Sequence, residues 1–277
     1  MSIGRQLDLF DGGGVSTEAP PPFAGSAGPV AASELDDAAL IDAIARAGLR
    51  DYRDLTEEAV QRRLAEAIPA LETLCRRFTG FGLTRPIPEQ IAAVQAIASI
   101  GGSAASRAVA AIIADDVIRG PGFADAVHQA ARLRCRLPDA VVLDLLRHPD
   151  SAMRADGASC AHRPRADIVA LLADLLNDPH QAVARAAACA LGRMGRGDAQ
   201  PILLRLLAEQ PSQEVIEAAA GIEDEAIIVL LGRIARTRPE LAAAAMEALR
   251  DMEHGRATAI VASIEGSAGI RSITLDN

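Results

Sequence analysis

Five side chains of metal-ligating type fall within one stretch of the chain: His148, Cys160, His162, His180 and Cys189. Tetrahedral zinc needs four such donors converging on one point. The spacing argues against convergence. Cys160 and His162 are two positions apart, which on a helix turns them about 200° away from each other, and His148 and His180 stand in the proline-containing corners RHPD and DPHQ. They read as core thiols and corner histidines, so no metal and no cofactor is implied. The four cysteines, at 75, 135, 160 and 189, form no CxxC pair. That usage fits buried free thiols in a reducing compartment.

The arginines are the next candidates for chemistry. All 28 basic residues are arginine and lysine is absent, which excludes mechanisms built on a P-loop, Schiff-base or kinase lysine. Arg132, Arg134, Arg136, Arg147, Arg154, Arg163 and Arg165 crowd 34 residues of the chain. A net charge of −9 speaks against nucleic-acid adhesion over the whole surface. The charge is uneven, however: residues 34–72 hold ten acids against five arginines, and residues 76–136 hold eight arginines against four acids. A local basic patch is therefore available. Gly101-Gly102 and Gly192-x-x-Gly195-x-Gly197 follow no strand and close helical runs, so they are corner glycines and not phosphate loops.

These residues must be positioned by helices. Half the residues are hydrophobic, tryptophan is absent, and the aromatics are five Phe and one Tyr. Small side chains at helical spacing suit stacked helices better than a sandwich or barrel. Val183, Ala187, Ala190, Leu191 and Met194 form one helical face. Ile202, Leu203, Leu206 and Leu207 form a second, with Asp198 expected as its N-cap and Pro201 in its first turn. Neither stripe can be buried alone. Ala-rich runs closed by glycine recur at Ile91–Gly101, Val183–Gly195 and Leu241–Gly255. LLRHPD at 145–150, LLNDPH at 175–180 and LLAEQP at 206–211 recur at 30 and 31 residues, with a looser copy, AIIADDVIRGPG, at 111–122. A helix-pair period of that length means a solenoid.

Upstream, residues 11–32 have the Gly/Pro/Ser/Ala composition of a linker, with a root-mean-square span of roughly 25 Å. Order is expected to begin at Ser33 as an N-cap, with a helix ending at Gly48, another opening at Thr56, and a third through Leu71, Leu74, Cys75 and Phe78. The turn TGFGLTRPIP at 79–88 suggests a seam. The expected organisation is a tail and linker at 1–32, a helical cap at 33–87, an array of about five repeats at 88–265 and a tail at 266–277.

Asp178-Pro179, Val183, the run Arg185–Leu191, Gly192 and Gly197-Asp198, with Pro149-Asp150, Met153 and Arg154 one unit earlier, resemble the HEAT-repeat superfamily, particularly its short bacterial type called HEAT-like or phycobilisome-lyase repeats. The resemblance covers roughly residues 88–265 and implies an all-α, right-handed α-solenoid of stacked hairpins. It also implies a ladder in which a loop aspartate meets an arginine just after the apolar opening of the second helix. Arg154 fits that pattern, whereas Ala184 departs from it and Arg185 comes one place late. Second helices of such repeats line the concave face, where Arg154, Arg165 and Arg185 are candidate contacts for a protein partner.

Gln6-Leu7-Asp8-Leu9-Phe10 resembles the bacterial sliding-clamp-binding peptide, in which the Leu-Phe pair enters an apolar pocket and the glutamine amide bonds its rim. The expectation is a non-enzymatic adaptor, with no catalytic residue, no cofactor and no metal. Its concave face would take a protein and its tail the clamp. Two alternatives stand beside it: a DNA-binding repair protein of HEAT-like glycosylase type using the same arginines, and a plain scaffold whose tail has no clamp role. Alkylpurine glycosylases of that type use aromatics and a carboxylate at the lesion, whereas this chain has no Trp and only Tyr52, near its amino terminus; phycobilin lyase activity meets the same objection. The amino terminus has no signal-peptide pattern and no apolar run approaches a membrane span, so no membrane contact and a cytoplasmic setting are expected.

Overall fold

The computed structural model describes residues 31–273, with side chains through Gly266. Among the described residues the chain is all helix and turn, without strands. The helices are α1 (Asp37–Arg46), α2 (Tyr52–Gln61), α3 (Ile68–Arg76), α4 (Pro88–Ile100), α5 (Gly102–Ala114), α6 (Pro121–Arg132), α7 (Asp139–Leu146) and α8 (Ser151–Ser159). They continue as α9 (Ala166–Leu175), α10 (Gln181–Arg193), α11 (Gln200–Glu209), α12 (Gln213–Ala220), α13 (Glu225–Thr237), α14 (Pro239–Asp251) and α15 (Gly255–Ile273).

Consecutive helices pack as hairpins, α1 with α2 through α13 with α14, and α15 closes the stack against α13 and α14. Five of these hairpins lie wholly within 88–265. The 79–87 turn joins α3 to α4, which pack closely on each other, so the stacking runs through it without a break. The hairpins form two layers. Even-numbered helices touch in an unbroken series from α2 to α14. In the odd-numbered layer the contact thins between α5 and α7 and between α9 and α11.

Side-chain size accounts for the difference. From α7 onward the odd helices carry Leu, Ile and Val (DAVVLDLL, ADIVALLADL, QPILLRLLAE), and the even helices carry mostly alanine (QAVARAAACALGR, QEVIEAAA, PELAAAAMEALRD). Interaxial distance follows the side chains at the contact, so the alanine layer closes up and becomes the inside of the bend. At one joint the approach is backbone to backbone. A Cβ on Gly192 would lie 2.6 Å from the Ala218 carbonyl oxygen, and one on Gly221 would lie 2.2 Å from the Gly192 carbonyl oxygen. Only glycine at both positions lets α12 seat on α10.

Three helix starts differ from expectation. Asp36, not Ser33, caps α1, accepting from the Ala39 N–H at 2.8 Å; Ser33 sits in a short turn whose carbonyl receives Arg62. The second helix begins at Tyr52, and Thr56 lies buried inside it with its hydroxyl donating to the Arg53 carbonyl at 3.0 Å. Asp198 does not cap α11, because Gly197–Ala199 form a tight 3₁₀ turn that places Ala199 at the cap and turns the carboxylate toward Arg196. At the other end of the array, α14 stops at Asp251 and Gly255 opens α15 instead of closing α14.

Candidate interaction surface

Of the arginines expected on the concave face, Arg154 and Arg185 lie on the even helices α8 and α10 but are bonded within the chain, and Arg165 lies in the outer layer. Arg154, at the start of α8, is an inter-repeat bridge. Its Nε donates to Asp178 Oδ2 at 2.9 Å and its Nη2 to Oδ1 at 3.2 Å, while Nη1 donates to the carbonyls of His148 and Pro149. This is the expected ladder rung, and Asp178 is only 5% exposed. The Arg154 hydrogen bonds, ahead of one from the His180 N–H, hold the Asp178 carboxyl below the usual carboxylate range. Arg185, one place late in α10, skips the aspartate and donates to the Ser212 hydroxyl at 3.0 Å, tying α10 to the N-cap of α12. Arg165 precedes α9 in the outer layer, paired with Asp167 and Asp139.

The histidines and cysteines are equally dispersed. His148 and His180 turn to the corners, where the His180 ring lies 3.2 Å from Asp178. The His162 ring meets the Cys160 carbonyl at 2.8 Å. Among the described residues no group of three or more His, Cys, Asp or Glu could hold a metal ion. All four cysteines are free and buried. Burial pushes the Cys75 thiol up to about 12 and Cys189 up to about 11, and carries Cys160 above the usual thiol range. None is a thiolate at neutral pH.

What the structure does assemble is a charged cleft on the inner layer. Arg134, just past α6, forms an ion pair with Glu217 of α12. Three interhelix steps separate those helices, about 27 Å on a flat layer, far more than an arginine and a glutamate can span. The bridge therefore measures the bend: the even layer is concave, and the C-terminal end of α6 faces α12 across it. Beneath the bridge, Arg132, Arg134, Asp156, Ser159 and Glu214 line a cavity of ≈ 290 Å³. Burial raises the Asp156 carboxyl, and His128 Nδ1 lies 3.4 Å from it.

Arg193, at the end of α10, stands behind this lining, next to Glu214. All three of its guanidinium nitrogens are buried without a hydrogen-bond partner. The nearest carboxylate, Glu214, stands 3.9 Å away, and burial is the main cause that lowers its proton affinity. Arg193 is not among the candidate contacts expected from the sequence. One arginine closing an otherwise Ala-rich helix, four residues after Cys189, was the available signal. A second, larger groove of ≈ 650 Å³ runs between α2 and α4, with Tyr52 and Pro88 among its lining residues.

Residues 139–222 match the family model for HEAT repeats. That span runs from the first residue of α7 to just past α12, which is three whole hairpins. Residues 139–222 are HEAT repeats. HEAT repeats generally mediate protein interaction as scaffolds, and here the repeats that match the family carry most of the cleft. No curated protein matches the chain. Gln6, Leu7, Asp8, Leu9 and Phe10 lie outside the described residues. Among the described residues, no helix is long and apolar enough to cross a membrane.

Proposed function

We propose that this HEAT-repeat chain is a non-enzymatic adaptor, binding a protein partner on the concave even-helix layer and a bacterial sliding clamp through Gln6-Leu7-Asp8-Leu9-Phe10. The observation that carries the first half is the unbroken concave layer whose cleft interleaves Arg132, Arg134 and Arg193 with Asp156, Glu214 and Glu217. Alternating signs within one cleft complement a protein surface, where matched potentials set register and specificity. They do not suit a phosphate backbone, which wants cations in series. The arginines that a DNA-groove reading would use, Arg154, Arg165 and Arg185, already bond to Asp178, Asp167 and Ser212. The clamp half rests on the sequence: all five motif positions are filled, with Leu9 and Phe10 as apolar anchors ahead of a linker-like stretch. A cytoplasmic setting belongs to the same proposal.

The test is a pull-down with purified sliding clamp. The full chain is expected to be retained and its Leu9→Ala/Phe10→Ala variant released; failure of the unaltered chain to bind overturns clamp recruitment. Retention on duplex DNA at low salt, falling steeply as salt is raised, would transfer the cleft to the DNA-binding reading.

A further inference from the structure

The concave cleft has a property beyond its shape: it holds an arginine with nothing to bond. An unpaired buried guanidinium is among the costliest arrangements a folded chain can carry. Native structures satisfy nearly all buried donors, so an exception of this size points to a partner from outside the chain. The nitrogens of Arg193 are buried without an acceptor, and Glu214 at 3.9 Å is beyond hydrogen-bond reach. Arg134, Glu214 and Glu217 are the charged groups that act on it.

Resting on the reading of the concave layer as a protein-binding surface, we infer that this cleft is a receptor for a carboxylate side chain on an acidic segment of the protein partner, and that the Arg134–Glu217 bridge is its displaceable cover. Glu217 already performs the guest's part. It is a carboxylate that reaches Arg134 across the bend, with both side chains about one-third exposed, 37% and 36%. A partner carboxylate can take the place of Glu217 at Arg134. Arg132 is exposed and meets only the neutral Gln129 side chain, at 2.7 Å. Its planar fork and that of Arg134 are suited to bidentate capture of a carboxylate.

Arg134 also holds a backbone conformation that it shares with Arg63 and Asp116 among the described non-glycine residues. Arg134 ends α6 in the left-handed region at φ 49°, with the Cys135 N–H closing onto the Ala130 carbonyl. At the equivalent place after α10 the chain uses Gly195, at φ 71°, with Arg196 N–H closing onto Leu191. A non-glycine residue there is held at a cost, and here that conformation carries the guanidinium that spans the cleft. The carboxylates already present, Asp156, Glu214 and Glu217, limit the guest. They disfavour duplex DNA, whose phosphates come as a fixed, closely spaced series, while one carboxylate of a flexible acidic segment can replace Glu217 at Arg134.

Binding of a fluorescein-labelled poly-L-glutamate peptide to the full chain, followed by anisotropy at low salt, tests this. Glu217→Gln removes the internal competitor and is expected to tighten binding about fivefold. Arg193→Met is expected to weaken it at least about tenfold, with helical circular dichroism retained. Arg134→Gln gives a second, solvent-facing variant with the same expected loss, so the outcome does not hang on the folding of a core substitution. Equal binding by the unaltered chain and both arginine variants, no gain in Glu217→Gln, or preferential displacement of the peptide by duplex DNA each overturn the inference. Leu9→Ala/Phe10→Ala is expected to leave peptide binding unchanged, which separates this test from that of clamp recruitment.

Discussion

Two arginines, one beside each end of α10, have opposite fates. Arg154 meets the corner before the helix and places its donors on one carboxylate and two carbonyls, at 2.8 to 3.2 Å. Arg193, at the other end, places none. The first is a joint between repeats, and its charge is matched within the chain. The second lies beside the hollow of the bend, where α6 and α12 come together, and has only a loose ion pair with Glu214 at 3.9 Å and no hydrogen bond. Repeats of one kind thus hold the stack together at the corners and leave reactive potential at the concave ends, which is how a scaffold can be rigid and still want a partner.

This contrast can be broken by substitution. The largest effect is expected where the joint is closest: Gly192→Val forces side-chain atoms against the Ala218 carbonyl, 2.6 Å from the added Cβ, and is expected to destabilise by about 3 kcal/mol or more in urea unfolding. Arg154→Ala leaves the nearly buried Asp178 with backbone and His180 partners only, at an expected loss of about 2 kcal/mol. Its pH signature has a definite sign. Asp178 is depressed in the folded chain, first by Arg154, so the contribution is present above the ordinary aspartate value, about 3.9, and fades as pH falls through the lower native value. The stability gap between Arg154→Ala and the unaltered chain is therefore expected to close below about pH 4.

Arg193→Met should move the other way, raising stability by about 1 kcal/mol in the same urea experiment, because an unpaired buried charge is removed and the apolar stem is kept. A loss as large as that of Arg154→Ala would erase the distinction between the two ends. The smallest effect belongs to Arg185→Ala, about 0.5–1 kcal/mol, since the Ser212 hydroxyl it contacts also caps Val215. A loss above that of Arg154→Ala would make Arg185 the stronger joint.

Local patterns announced the array well. The LLRHPD, LLNDPH and LLAEQP corners end α7, α9 and α11, all in the outer layer, and the Ala-rich runs are α4, α10 and α14, all in the inner one. Arg154 and Asp178, 24 residues apart, are the loop-aspartate and helix-arginine pair that the resemblance implies. Helix starts were less legible, since Ser33, Thr56 and Asp198 each have cap chemistry and only the surrounding turns decide which oxygen is used. Arg132 and Arg134 stood among the crowded arginines of the sequence, but nothing local separated them from Arg147 or Arg163.

The sequence by itself determined the period, the hairpins and the layer to which each helix belongs, because these depend on apolar spacing and side-chain size within about 30 residues. The cleft was decided only in three dimensions. Arg134 and Glu217 lie 83 residues apart, and they meet because small differences in helix spacing between the alanine layer and the leucine layer accumulate over three steps into a bend. Whether Arg193 finds an acceptor depends on where that bend places Glu214, to within an ångström, and no spacing rule along the chain carries that information.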